Sequence, residues 1–112
     1  MRLRERERVE RAARALVEEH AGSELAEALL FVWARTIPGA YAMAWYDTSP
    51  REAWIMFDEG WMKRASARKR REIIAHEVAH LLAYHFHGEG IQAHGPEWRR
   101  WTVRLHGKPL RA

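Results

Sequence analysis

Apolar residues near the start of the chain recur at helical spacing. Leu3, Val9, Ala13, Leu16 and Val17 are set among alternating Arg and Glu. That pattern predicts one amphipathic helix over Arg2–His20, weakly supported by Glu/Arg pairs three or four apart. Its plain role is a solvated scaffold. Gly22 interrupts it, and Ser23 is a suitable N-cap. Glu24–Arg35 then reads as a second helix, with Leu25, Leu29, Phe31, Val32 and Trp33 turned inward and Pro38-Gly39 at its end.

Beyond Gly39 the pattern becomes β-like. Ala40–Asp47 is rich in aromatics (Tyr41, Trp45, Tyr46), and Glu52–Asp58 contains Trp54, Ile55, Met56 and Phe57. Asp47-Thr48-Ser49-Pro50 between them is a turn signal. A β-hairpin is expected, with room for a further strand in a short antiparallel sheet. The aromatics read first as core and sheet face. The functional alternative is a strand edge beside a cleft, where a substrate peptide can add as an extra strand.

Gly60-Trp61-Met62 leads into a basic stretch, Lys63 to Arg71. From there to about Phe86 the chain has helical character and no Gly or Pro. Ser66 is a plausible N-cap, and Ile74, Val78, Leu81 and Leu82 form the apolar rear that should pack on the sheet. Gly88 and Gly90 end the helix, and a loop over Glu89–Ala93 returns the chain. Pro96 and Glu97 mark a last helix start, with Trp98, Trp101, Thr102 and Leu105 on one face. The fold class is α+β, in a single domain over residues 1–112.

Length, at 112 residues, allows one modest core. The absence of cysteine excludes disulfides and thiolate zinc sites, so any metal must use His, Asp or Glu. No apolar run approaches the ~20 residues needed to span a bilayer, and the charged N-terminus lacks a signal-like apolar core. The default expectation is a soluble, cytoplasmic protein with no membrane partner. The net charge of +4 only hints at acidic partners.

The candidate chemistry lies in His76-Glu77-Val78-Ala79-His80. Residues four apart share a helix face, so His76 and His80 can offer two imidazoles to one ion. Glu77 lies about 100° around the helix. It is poorly placed as a ligand but able to reach a water on that ion, as a general base for peptide hydrolysis must. Two ligands leave a tetrahedral Zn²⁺ incomplete. The extended motif with a third His six residues on fails, because Phe86 stands there and Ala83 replaces its Gly. His87 is roughly 10 Å further along a continuous helix. His85 points to the apolar back, and His20 and His106 have no motif around them. His94, after the reversing loop and beside a helix start, is the best third ligand; Glu89 and Glu97 are the oxygen alternatives.

At these residues the chain resembles the SprT-like family of zinc metalloproteases, which includes the Spartan DNA–protein crosslink proteases. The family pattern is HExxH, a dozen or so residues, then HGxxF or HGxxW. Here the second part is His94-Gly95-Pro96-Glu97-Trp98, which is especially similar to the Spartan branch, and the resemblance is specific from about Ile73 to Trp101. It implies a small zincin-like domain with Zn²⁺ held by His76, His80 and His94, and Glu77 as catalytic base. Zinc would lower the pKa of a bound water from ~15.7 toward ~7. Glu77 would pass its proton to the leaving amine, with Tyr41, Tyr46 or Tyr84 as further candidates to assist. Many members add a C-terminal zinc ribbon, which a chain without cysteine cannot form.

The expected activity is zinc-dependent endopeptidase action on proteins or peptides, DNA-associated ones among them. The basic clusters Lys63–Arg71 and Arg99, Arg100, Arg104, Lys108 and Arg111 could bind DNA, with Trp61 or Trp101 stacking on bases. Solvated helix faces are the plain alternative. Two other readings stay open: a gluzincin-like peptidase with a Glu ligand, and a DNA-binding or regulatory module with a structural zinc.

Overall fold

A computed structural model describes residues 1–48 and 51–106. Helix α1, Leu3–Ala21, buries Val9, Ala13 and Val17, one residue per turn, as the amphipathic pattern requires. Leu3 stays 70% exposed and takes no part in the core.

The second predicted helix is overturned in its C-terminal half. Helix α2 is only Ser23–Ala28, and Leu29–Ala34 is a strand, β1. Gly22, at φ 95°, occupies the N-cap position, and Ser23 is already the first helical residue. Leu29-Leu30-Phe31-Val32-Trp33 is a short apolar run whose periodicity suits either state. Its aromatic and β-branched side chains favour the pleated surface once a partner strand is available. Arg14 of α1 secures the transition: its guanidinium donates to the carbonyls of Ala26 (2.9 Å) and Leu29 (2.7 Å).

The hairpin forms as predicted from β2, Ala42–Thr48, and β3, Arg51–Asp58, paired antiparallel; residues 49–50 of its turn lie outside the described residues. The sheet is nonetheless mixed rather than wholly antiparallel. Its order is β1-β3-β2, with β1 parallel to β3. Leu29, Ala53, Ile55, Phe57 and Tyr46 face the core and are buried.

Asp58 closes β3 and caps the short helix α3, Glu59–Arg64, in the segment that leads into the basic stretch. Its carboxylate accepts from Trp61 N (2.9 Å) and Ile37 N (3.0 Å), which hold its pKa below the usual carboxylate value. Helix α4, Ala67–His87, begins at Ser66, whose Oγ accepts from Lys69 N at 3.1 Å. It contacts α1, β2 and the last helix, α5, Pro96–His106. Residues 73–75 and 77–83 of α4 are all buried, so it is a central helix rather than a two-faced one. Gly88 ends it at φ 88°, a left-handed conformation that suits Gly and reverses the chain toward α5. Among the described residues, no helix is long and apolar enough to cross a membrane.

Candidate metal centre

His76 and His80 project from adjacent turns of α4, their Nε2 atoms 3.2 Å apart. The loop after α4 returns His94 to them, with its ring centroid 5.4 Å from His76 and 4.8 Å from His80. One ligand atom from each ring lies within 4.8 Å of the others, so the three form a group that can hold a metal ion. A tetrahedral ion with N ligands at about 2.0–2.1 Å needs nitrogens roughly 3.3 Å apart. The His76–His80 pair already has that spacing, and His94, on an exposed loop position, needs only a small approach. The donor set therefore fits Zn²⁺.

Burial and the neighbouring imidazoles push the His80 pKa down to about 3, keeping the ring neutral at physiological pH, as a ligand must be. His80 is also hydrogen-bonded to the backbone of Ala93, which steadies the ring. Glu77 is 5% exposed, and its Oε2 lies 3.9 Å from His76 Nε2. Burial pushes its pKa up to about 8. A titratable carboxyl beside three converging imidazoles can exchange a proton near neutral pH.

The other candidates fall elsewhere. Glu89 lines a cavity with Trp45 and Trp54, and Glu97 bends back to within 3.4 Å of where a Cβ on Gly95 would lie; neither joins the imidazole group. His85 Nδ1 bonds Tyr46 Oη at 2.8 Å, and His20 meets Trp101 edge-on. His87 ends α4, and the side chain of His106 lies outside the described residues. Among the tyrosines, Tyr84 stacks beside His80 with centroids 6.2 Å apart. Tyr41 packs on Trp61 instead, and Tyr46 is held by His85.

Trp98, expected on one face of the last helix and as the aromatic that follows HGPE, is the central support of the trio. Its ring centroid lies 4.9, 5.4 and 4.7 Å from those of His76, His80 and His94. The available signal was its position four residues after His94, at a helix start. Gly95 is buried beside it, and a Cβ there would come within 3.2 Å of Gln92 Cβ, so the tight loop favours Gly.

The basic clusters are partly engaged within the protein. Arg70 donates to the carbonyls of Met62 and Lys63 and to Glu5, while Arg68 and Lys69 pair with Glu72. Trp101 is not an exposed stacking platform: it is 8% exposed and stacks on Phe86. Lys108 and Arg111 lie outside the described residues.

Comparison with known proteins agrees with the motif. The chain is 59% identical over 29 residues to Protein SprT of Pseudomonas putida (strain GB-1), covering 26% of this chain and 18% of that protein. It is 40% identical over 48 residues to Protein SprT of Pseudomonas fluorescens (strain SBW25), covering 43% of this chain and 29% of that one. The chain thus aligns with less than a third of the length of either relative. No solved structure matches. The SprT-like family model matches residues 8–110, a span that includes all three imidazoles, and the chain belongs to the SprT-like family.

Proposed function

We propose that the chain is a zinc-dependent endopeptidase, with His76, His80 and His94 as metal ligands and Glu77 as general base. The observation that carries this reading is the buried carboxyl of Glu77, 3.9 Å from His76, beside a group of three imidazoles whose ligand atoms lie within 4.8 Å of one another. A structural site has no need of a carboxyl there, and no carboxylate oxygen joins the imidazole group, which disfavours a Glu third ligand.

A bound Zn²⁺ would supply Lewis acidity toward a peptide carbonyl and its attacking water. The three rings set the geometry, and neutral His80 adds no repulsion to an arriving cation. That cation also favours the carboxylate form of Glu77. Glu77 then accepts a proton from the attacking water and returns it to the leaving amine nitrogen. Trp98 and the buried flank of α4 exclude solvent from the inner side of the site.

The substrates are proteins or peptides, DNA-associated proteins among them. DNA contact would rest on the exposed Lys63, Arg71, Arg99 and Arg100, and its affinity should fall steeply with salt. The test is Glu77→Gln, which should keep stoichiometric zinc and lose casein hydrolysis. Hydrolysis at the native rate by that variant would overturn the assignment.

A further inference from the structure

The alternation along the strands leaves a second apolar surface, on the side of the sheet away from the core. Across the register, Leu30 and Trp45 flank Trp54, and Val32 and Met43 flank Met56. Leu30, Met43 and Trp45 are 48%, 40% and 44% exposed, and the other three are partly exposed. A sheet face open to water is normally polar, and contiguous exposed apolar patches mark interaction sites.

A cavity of about 450 Å³ opens on this face. Val32, Trp45, Tyr46, Trp54 and Met56 line it together with Asp47, Glu52 and Glu89, and among the described residues no Lys or Arg lines it. In a chain of net charge +4, two exposed carboxylates, Glu52 and Glu89, stand at this apolar cavity. Nearby Arg51 is turned to Glu24, at 2.8 Å. Glu89 also belongs to the loop that delivers His94 to the metal centre.

We propose that this face captures an extended polypeptide segment that carries a large apolar side chain and a Lys or Arg two residues apart, on one face of the segment. It deepens the peptidase reading, on which it rests, by naming the kind of protein the enzyme would hold. An apolar side chain fills the cavity, and a cation two residues away meets Glu52 or Glu89. Exposed ion pairs contribute little each, so apolar contact anchors the segment while charge selects it. Two copies of this face pairing symmetrically would lack that match, because the cavity lining holds no cation.

The experiment uses the full chain carrying Glu77→Gln and fluorescence anisotropy with short labelled peptides that place Phe and Lys, or Phe and Glu, two residues apart. The Lys peptide should bind about tenfold or more tighter, a difference of about 1.4 kcal/mol. Adding Trp45→Ser should weaken it by a similar factor, and Glu52→Gln with Glu89→Gln should abolish the preference for Lys. These side chains are largely exposed, and an unchanged melting temperature checks that the variants fold. Equal binding of the two peptides, or binding insensitive to Trp45→Ser, overturns the proposal. So does a dimer in sedimentation that Trp45→Ser dissolves, since the face then serves self-association. Binding is read where no hydrolysis is expected, so the binding result can be told apart from failure of the peptidase reading. Failure of binding likewise leaves the zinc and casein tests standing.

Discussion

The indole N–H of Trp98 donates to the backbone carbonyl of His76 at 3.2 Å, from a ring that also touches all three imidazoles. One side chain of α5 thus fixes both the helix that carries two ligands and the rings themselves. Trp98→Phe keeps an aromatic face and loses the hydrogen bond. It should cost about 1 kcal/mol in urea unfolding and alter the visible spectrum of the Co²⁺-substituted protein. Trp98→Ala should cost about 3–5 kcal/mol. An unchanged cobalt spectrum in the Phe variant would reduce Trp98 to a space-filler.

His94 is exposed and sits on a loop, whereas His80 is buried in α4. His94→Ala should therefore leave the stability of the metal-free chain within about 0.5 kcal/mol of wild type. It should also remove the rise in melting temperature on adding zinc. In the wild type, zinc at a hundred times its Kd should add about 2.7 kcal/mol. Calorimetry with and without zinc reads both effects. Stoichiometric zinc retained by this variant would reassign the third ligand.

Glu77 and His80 make opposite demands on pH in the metal-free chain. The folded pKa of Glu77, about 8, lies above its ordinary value of 4.5, so its contribution to stability declines as pH rises from 4.5 to 8. The folded pKa of His80, about 3, lies below 6.5, so its contribution declines as pH falls from 6.5 to 3. The two slopes cancel between 4.5 and 6.5, leaving a plateau with a decline on either side. In chelator, Glu77→Gln should gain on wild type by about 1.4 kcal/mol per pH unit between 4.5 and 8. A difference that does not vary with pH would mean that Glu77 is ionised in the fold.

Asp58 joins the end of β3 to the 35–41 loop and to α3 through two backbone N–H groups. Asp58→Ala leaves both donors unmet and should cost about 2–4 kcal/mol. Because the folded pKa is depressed, the stability Asp58 contributes is present above its unfolded value and lost as pH falls through the folded one. Zinc stoichiometry should be unchanged, separating this support from the metal centre.

The helices and the imidazole trio were legible because their signals are local. Ser66, Gly88 and Pro96 mark helix ends by backbone chemistry, and a four-residue spacing places His76 over His80. His94 needed the extra inference that the loop doubles back, and the HGPE sequence carried it. What was misread depends on distant partners. Phe31, Val32 and Trp33 become a strand because β3 offers them a parallel edge, which no neighbouring residue announces. Trp101 resembles an exposed stacking residue until Phe86 covers it.

β3 occupies the middle of the sheet although it is the last of the three strands in sequence. During synthesis, β1 must wait unpaired until the hairpin delivers its partner, exposing Leu29 to Trp33 as an aggregation-prone edge. A one-residue slip at that late docking step would exchange Ile55 with Trp54, turning the core side of the strand outward. Assembly of the layer beneath α4 is thus a timing problem, decided by how quickly residues 42–58 close on themselves.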